Sequence, residues 1–319
     1  MYPTISIITP SLNQGDFIEE TIRSVVSQEG DFFLDYIVVD GGSTDNSVEI
    51  IKKCENLLSD GDLSVHCRGI KYRWMSEGDN GQSDAINKGF RMAEGEILAW
   101  LNSDDTYFPN TLQRVADLFR PHPDLDVLYG KAYFTNERGE ITGMYPTEPF
   151  DYQRLATFNF ICQPSTFFRR EAWNETGGLD TSLHYVMDYD LMIRMTKQFR
   201  VMYLTEFLSA YRLHEKSKTI SRSIALMNHR ECLKTVVRHF HWAPLNRVYG
   251  YCSQLIEQRM PPLLARLKFP IALLSIPLSF AMCIRLNRGI RLEDLKMINS
   301  KNISEFVREH MRYNRVLKL

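Results

Sequence analysis

The segment GEILAWLNSDDTYFPNTL, residues 95–112, ends an apolar run in Asn102, Ser103 and two adjacent carboxylates, Asp104 and Asp105. Adjacent carboxylates repel each other, and burying them is costly unless a cation or basic side chains neutralise them. Mg²⁺ and Mn²⁺ prefer carboxylate oxygens, and they often bind through one or two of them together with substrate phosphates. The pair therefore predicts a divalent-cation site. The alternative is a solvated turn in which Asp105 caps the next helix.

The elements before this segment alternate between apolar runs and amphipathic stretches. Strands are predicted at ISIITP, YIVVD, IKYRWMS and EILAWLN, and helices at FIEETIRSVVSQ, SVEIIKK and GQSDAINKGFRMAEG. Ser43 or Thr44 is the predicted N-cap of the second helix, and Gly95 the predicted C-terminal cap of the third. The βαβαβαβ order predicts a parallel sheet that helices cover on both faces.

Polar or acidic residues follow all four predicted strands. Ligands of such sheets bind beyond the carboxyl ends of the strands, so the four sets should meet in one site. The sets are Thr9, Pro10, Ser11 and Asn13; Asp40, Gly41, Gly42 and Ser43; Glu77, Asp79, Asn80 and Gly81; and Asn102, Ser103, Asp104 and Asp105. The glycines fit neither GxGxxG nor GxxxxGK[ST], which argues against dinucleotide and P-loop sites. Asp40 suits a hydrogen bond to a base or ribose, although DGGSTD also describes a simple turn.

Composition narrows the class of protein. The chain has 319 residues and a formal net charge of −1, so no general polycation points to nucleic acid. Its six cysteines lie far apart without metal-ligand spacing, which favours reduced thiols in a cytosolic protein. The N-terminus MYPTISIITP has no charged n-region followed by an apolar h-region, so we expect no signal peptide. Beyond about Ser217 the sequence is helical in character.

Five blocks together carry a family resemblance: TPSLNQGDFIEETIRSVVSQ, YIVVDGGSTDNSVEII, SEGDNGQSDAINKGF, GEILAWLNSDD and YVMDYDLMIRM. In this order they resemble glycosyltransferase family 2, whose members are inverting enzymes with a GT-A fold. The resemblance covers Ile5 to about Thr219. It implies an α/β fold with a Rossmann-like, mostly parallel sheet flanked by helices, and a helical C-terminal appendage. The expected domains are 1–218, with a nucleotide half 1–105 and an acceptor half 106–218, and 219–319.

The same resemblance implies roles for individual residues. Asp105 would be the direct ligand of Mn²⁺ or Mg²⁺, while Asp104 would bind the metal, a metal-bound water or the ribose, because Asn102 and Ser103 replace the first carboxylate of the motif. His214 is a further metal ligand or phosphate partner, and Lys216 and Lys218 would attract the phosphates. The remaining donor-site residues implied are Thr9, Pro10, Ser11, Asn13, Asp40, Gly41, Gly42, Asp79, Asp84, Ser103 and Gln163.

The candidate catalytic base is Asp188. The family often has Glu-Asp where this chain has Met187-Asp188, so Asp188 lacks its usual neighbour. Asp190 is the alternative carboxylate, but two positions apart on a helix only one of the two should face the donor. Gln163 could instead bond an acceptor hydroxyl, or simply lie at a strand edge.

The resulting functional hypothesis is an inverting glycosyltransferase. It would move a hexosyl or N-acetylhexosaminyl group from a nucleotide sugar, usually UDP-linked, to a hydroxyl of a glycan or lipid-linked acceptor. A sugar-1-phosphate nucleotidyltransferase is the rival enzyme, but TPSLNQGDF offers no Lys or Arg for a triphosphate. A nucleotide-sugar-binding protein without activity is the other alternative, and the retained Asp104, Asp105 and Asp188 argue against it.

One apolar stretch, Phe269 to Ile284, lies in the C-terminal third between Lys268 and Arg285. It is shorter than the roughly 20 residues of a spanning helix. It is either a buried or partner-packing segment, or a segment lying in a membrane interface. Residues 260–291 would then make a peripheral membrane contact, and the protein would be cytoplasmic or bound to the inner face of the plasma membrane.

Overall fold

A computed structural model describes residues 2–215, 217, 224–261, 268–289, 291 and 294. These residues belong to two compact units. The first unit comprises Met1–Tyr152 and Asn159–Leu213, and the second comprises Gln153–Phe158 and the chain from His214 onward.

The first unit is built on one sheet of nine strands in the order β3-β2-β1-β4-β8-β6-β9-β5, with β7 paired to β6. The strands are β1 Thr4–Ser11, β2 Gly30–Asp40, β3 Cys67–Ser76, β4 Ile97–Trp100, β5 Thr106–Tyr107, β6 Val127–Thr135, β7 Ile141–Met144, β8 Thr166–Arg169 and β9 Val201–Arg212. The helices are α1 Ile18–Val26, α2 Ser47–Asp60, α3 Gln82–Met92, α4 Thr111–Phe119, α5 Tyr152–Leu155, α6 Arg170–Thr176 and α7 Met187–Thr196, with a 3-10 turn at Gln163–Ser165.

The first four strands are parallel and bring their carboxyl ends together. The register pairs Ser11 of β1 with Asp40 of β2, and Asp40 with Ser76 of β3. β1 and β2 are buried along most of their length because helices cover the sheet, as their near-continuous apolar sequences predict. Packing thus fixes the positions of the three polar strand ends relative to one another.

The second half of the sheet comes from residues far apart in the chain. β8 pairs antiparallel with both β4 and β6, β9 runs parallel to β6, and β5 runs antiparallel to β9. The predicted α/β class with flanking helices and C-terminal helices is confirmed. The sheet is mixed, and its long strand β9 was not among the predicted elements.

Two predicted helix boundaries are wrong. α2 begins at Ser47 after Asn46, because the Ser43 hydroxyl donates instead to Asp40. α3 ends at Met92, and Gly95 is not its cap. A Cβ at Gly95 would lie only 2.6 Å from the carbonyl oxygen of Thr4, so the glycine permits a close backbone approach to β1.

The second unit contains the predicted C-terminal helices, α8 Ala225–Phe240, α9 Leu245–Arg259 and α10 Lys268–Asn287. Its small apolar cluster consists of Leu233, Ala243, Val248 and Cys252, with Met282 of α10 packed against it. By length and composition alone, the part of α10 from Pro270 to Asn287 could cross a membrane, and 22% of it is buried.

Candidate active site

The loop after β2 is shaped by the buried carboxylate of Asp40. Its Oδ2 accepts hydrogen bonds from the backbone N–H groups of Gly42 and Ser43, at 3.1 and 2.9 Å, and from the hydroxyl of Ser76 at 2.7 Å. Its Oδ1 accepts one from the hydroxyl of Ser43 at 2.5 Å. Gly42 has φ +84°, a conformation that favours glycine. Asp40 therefore organises the loop, and its contact with a base or ribose stays a prediction.

The ends of β1, β2 and β3 converge at Gly41. Its N–H donates to the carbonyl of Ser11 at 2.8 Å. A Cβ on Gly41 would lie 2.5 Å from Oδ2 of Asp79, so only glycine lets that carboxylate come so close. The other oxygen of Asp79 accepts from the N–H of Gly81 at 2.8 Å. Three predicted donor-site residues thus share one edge of the sheet.

Ser11 presents an unusual polar atom at this edge. The residue is buried, and its Oγ has no hydrogen-bond partner among the described residues. A buried hydroxyl without a partner is uncommon, and a bound polar ligand would satisfy it. Thr9 differs, because its hydroxyl lies 3.0 Å from that of Tyr36 in the core. Pro10 between them is buried within β1.

Asn13 and Asp84 lie further along the same loops. Asn13 has φ +53°, and its side-chain oxygen accepts from the N–H of Thr44 at 2.8 Å. Asp84, in the first turn of α3, accepts from the N–H of Asn80 at 3.1 Å. That hydrogen bond and the nearby Lys88 lower the pKa of Asp84. The carboxyl is therefore ionised and helps to shape the loop after β3.

The loop after β4 holds the two adjacent carboxylates in different surroundings. Asp104 is half-buried, whereas Asp105 is fully buried and Ser103 nearly so. Oδ2 of Asp105 lies 3.2 Å from Nδ2 of Asn102, which donates to it, and Oδ1 accepts from the N–H of Arg212 at 2.9 Å. Asp105 does not cap the helix that follows, since α4 begins only at Thr111.

Arg212 at the end of β9 holds this loop in place and was not predicted. Its side chain is 3% exposed, and its Nε donates to the carbonyl of Asp104 at 2.9 Å. Its Nη1 donates to the carbonyl of Glu137 at 2.8 Å, and its Nη2 to Oε2 of Glu20 at 2.6 Å. Together with its N–H bond to Asp105, Arg212 fixes both acidic residues. The only sequence signal was its place in YRLHEKSKT, two residues before His214.

The acidic pair fits a divalent cation electrostatically. Burial, and then the charge of Asp104, raise the pKa of Asp105 well above its ordinary range. A cation beside the pair would relieve that repulsion, and its ligands would be carboxylate oxygens. Among the described residues, no three His, Cys, Asp or Glu side chains are placed to hold a metal. Asp104 and Asp105 alone would leave ligand positions on the cation for donor phosphates and water.

Gln163, in the 3-10 turn before β8, connects this turn to the acidic loop after β4. Its Nε2 donates to the carbonyl of Trp100 at 2.7 Å, and its Oε1 accepts from Asn102 at 3.2 Å. Asn102 in turn accepts from Gln82 of α3 at 2.8 Å. Gln163 is 8% exposed, so these contacts hold it against the end of β4. Its predicted contact with an acceptor hydroxyl or diphosphate stays a prediction.

Asp188 is the second residue of α7 and belongs to the first unit. Burial raises the pKa of the Cys162 thiol, and the charges of Asp105 and Asp188 raise it further. Asp188 as a whole residue is half-buried. Burial of its carboxyl raises the pKa, and the N–H groups of Tyr189 and Asp188 lower it by a smaller amount.

Asp190 has a structural partner. Its Oδ2 pairs with Nε of Arg194 at 2.7 Å, and its side chain is 1% exposed. Arg194 also donates to the carbonyls of Thr176 and Gly178, at 2.7 and 2.8 Å. Asp190 thus ties α7 to the end of α6.

The predicted residue His214 belongs to the second unit. His214 is buried, and its backbone N–H donates to the hydroxyl of Ser217 at 3.1 Å. Its role as a metal or phosphate ligand stays a prediction. Lys216 and Lys218 lie outside the described residues.

The fold and the acidic strand-end loops define an α/β protein with a site at the carboxyl edge of its sheet. A sequence model of glycosyl transferase family 2 matches residues 6–177, more than half of the chain. The chain belongs to this family and is a glycosyltransferase. It is 31% identical over 194 residues to the PGL/p-HBAD biosynthesis glycosyltransferase of Mycobacterium bovis, covering 60% of this chain and 69% of the relative.

Solved structures support the GT-A assignment of the fold. S. aureus TarS 1-349 in complex with UDP-GlcNAc aligns with a TM-score of 0.57 at 17% identity, over 98% of this chain and 92% of that one. The mannosyltransferase PcManGT from Pyrobaculum calidifontis, in complex with GDP-Man and Mn²⁺, aligns with a TM-score of 0.53 at 14% identity. That alignment covers 96% of this chain and 85% of PcManGT.

Proposed function

We propose that this glycosyltransferase transfers a hexosyl or N-acetylhexosaminyl group from a UDP-sugar to a hydroxyl of a glycan or lipid-linked acceptor, with inversion. The observation that carries the proposal is the meeting of four polar strand ends at one edge of the sheet. The nucleotide sugars bound by TarS and PcManGT support a donor of this class.

The donor would lie against the ends of β1 to β4. The unpartnered Oγ of Ser11 would hydrogen-bond to the nucleotide, next to the carboxylate of Asp79. Asp40, Gly41 and Gly42 would form the wall of this pocket, because their loop is already fixed by hydrogen bonds.

Asp104 and Asp105 would hold Mn²⁺ or Mg²⁺, and the cation would neutralise the charge of the donor diphosphate. Without neutralisation, a diphosphate facing two carboxylates would be repelled. Arg212 would keep the acidic loop in the geometry that binding requires, since it bonds the backbone of Asp104 and the side chain of Asp105. His214 and Lys218 are proposed further partners of the metal or the phosphates.

Asp188 would act as the general base. An alcohol is a poor nucleophile until its proton leaves, so Asp188 would accept that proton as the acceptor oxygen bonds to the anomeric carbon. The bond from that carbon to the diphosphate oxygen breaks with its electron pair, releasing the nucleoside diphosphate. Attack from the face opposite the leaving group inverts the anomeric configuration.

The domain assignments follow from these roles. Residues 1–105 would bind the nucleotide, residues 106–218 would receive the acceptor, and residues 219–319 would form a C-terminal region. A cytoplasmic location is also proposed. It agrees with the state of the six cysteines, all of which are described and none of which forms a disulfide.

A panel of nucleotide sugars tests the donor and the reaction. UDP-, GDP- and dTDP-sugars are incubated with Mn²⁺, and release of nucleoside diphosphate is measured in the wild type and in Asp188→Asn. We expect release from a UDP-sugar in the wild type alone. When an accepted glycan is found, NMR of the product should show an inverted anomeric bond. Release of pyrophosphate from a nucleoside triphosphate and a sugar phosphate would overturn the proposal in favour of a nucleotidyltransferase.

A further inference from the structure

Apart from Ile271 near its start, helix α10 turns small or polar side chains inward, and most of its large apolar side chains point outward. Its buried line has a spacing of four residues and consists of Ile271, Ser275, Ser279 and Cys283. Its exposed apolar side chains are Leu273, Leu274, Ile276, Leu278, Ile284 and Leu286, which are 40 to 59% exposed. A helix of a protein surrounded by water shows the reverse arrangement, with its apolar stripe facing the core.

The inward polar groups of α10 are satisfied within the protein. The hydroxyl of Ser275 donates to the carbonyl of Ile271 at 2.6 Å, and that of Ser279 donates to the carbonyl of Ser275 at 2.5 Å. Asn287 exchanges hydrogen bonds with the backbone of Ala243, at 2.8 and 3.0 Å. Small residues at the packed face and apolar residues on the outer face are typical of helices in contact with lipid.

Charge at the two ends of α10 indicates the kind of lipid surface. Lys268 begins the helix, and the exposed residues Arg285, Arg288 and Arg291 lie at or after its end. The sequence has no Asp or Glu from residue 268 to residue 291. A basic, apolar surface of this kind complements the negative potential of anionic membranes.

We propose that α10 lies in the interface of an anionic bilayer, with its six exposed apolar side chains at the boundary between headgroups and acyl chains. One side of the helix is already packed, since Sγ of Cys252 lies 3.8 Å from Sδ of Met282. Because this packed side leaves only the outer face for lipid, the proposal places the helix on the membrane surface. This inference does not depend on the proposed sugar transfer.

Vesicle flotation tests the proposal with the full chain. Wild-type protein should float with vesicles of phosphatidylcholine and phosphatidylglycerol, and more weakly with phosphatidylcholine alone. The double variant Leu274→Gln, Leu278→Gln should bind at least about tenfold more weakly, because two apolar side chains lose their favourable transfer. The matched control Ile141→Gln, Met144→Gln changes two apolar residues that are 59 and 64% exposed in the first unit, and should bind like the wild type.

Three results would overturn the proposal. The first is a wild type that ignores anionic vesicles, and the second is a double variant that still binds them fully. The third would come from a polarity-sensitive dye attached to the cysteine of a Leu274→Cys variant, in which Cys67→Ser removes the partly exposed native thiol. We expect its emission to shift to the blue only when vesicles are added. An apolar signal before that addition would show that another part of the chain, or a second copy, already covers the face. Melting and UDP binding of each variant separate a folding failure from a loss of lipid binding.

Discussion

The acidic loop after β4 and the first turn of α7 both carry shielded carboxyls, but different parts of the chain hold them. Asp105 is held by the N–H of Arg212 and the amide of Asn102, so a strand more than a hundred residues away fixes its position. Asp188 lies in the first turn of α7, where burial raises its pKa and the N–H groups of Tyr189 and Asp188 lower it. The first carboxyl is held by hydrogen bonds from a distant strand, whereas the second lies at the start of one helix.

This difference assigns separate tasks to the two regions. A loop fixed by distant strands keeps two carboxylates together against their repulsion, which is what a cation site requires. A carboxyl at a helix start with a raised pKa can gain and lose a proton without disturbing the sheet. Substitution of Asp105 should therefore change both binding and stability, whereas substitution of Asp188 should mainly change the rate.

The largest effect is expected from Asp188→Asn. Asparagine matches aspartate in size but cannot accept the acceptor proton. We expect transfer to fall roughly a hundredfold or more, with unchanged binding of donor and Mn²⁺. Steady-state kinetics and calorimetric titration of UDP measure the two quantities. Near wild-type turnover would move the base to Asp190 or to Glu171, which lies in the first turn of α6.

Asp190→Asn is the matched control for that variant, two residues further along the same helix. It breaks the ion pair with Arg194 inside a buried contact, so we expect a loss of about 3 kcal/mol in the free energy of unfolding. Turnover per folded molecule should stay within a few-fold of the wild type. Denaturant unfolding and active-site titration distinguish the two effects.

The next largest effect separates Asp104 from Asp105. Either change to Asn should weaken Mn²⁺-dependent UDP binding at least about tenfold, which is about 1.4 kcal/mol. Only Asp105→Asn should also lower the melting temperature, because only the side chain of Asp105 is fully buried. Its two carboxylate oxygens accept from the N–H of Arg212 and from Asn102, and asparagine keeps just one of these oxygens. Calorimetry with and without Mn²⁺, alongside thermal unfolding, measures both. UDP affinity that stays the same in Asp105→Asn would remove the direct metal role from that residue.

Arg212→Lys should have an intermediate effect. Lysine cannot donate at once to the carbonyls of Asp104 and Glu137 and to Glu20, so the acidic loop should loosen. We expect about a tenfold rise in the KM for donor, with a smaller change in kcat. Arg114→Lys is the control, since the Arg114–Glu206 pair is exposed and should contribute little. Equal KM values for the two variants would contradict the positioning role.

The sequence predicted the elements of residues 1–105 better than the rest of the fold. β1 to β4 and α1 to α3 are close neighbours in the chain, and their apolar periodicity marked each of them. β9 was missed because buried and exposed residues do not alternate regularly along it, as they do in a strand that the sequence marks clearly. Its partner strand β6 also lies some seventy residues earlier in the chain. The hydrogen bonds of Arg212 were missed for the same reason, since only tertiary pairing brings β9 to Asp105. The acidic strand ends could be predicted, because the fold class fixes the edge at which they meet.

The smallest effect is expected from a change of pH near neutrality. This change tests directly the difference between the acidic loop and the first turn of α7. Burial raises the pKa of Asp188, so a larger fraction is protonated at a given low pH than for an ordinary aspartate. Only the ionised form can accept a proton. kcat should therefore fall as pH falls through this pKa, by less than tenfold in the first unit and by about tenfold per unit below it.

The free energy of unfolding should change with pH in the opposite direction to kcat. Since the folded state binds this proton more tightly than the unfolded chain, the contribution of Asp188 to stability is lost as pH rises through its folded pKa. Asp188→Asn, which never ionises, should then melt at the same temperature as the wild type or higher at neutral pH. A variant that melts well below the wild type would show that Asp188 mainly holds the helix, and that its region is as dependent on packing as the acidic loop.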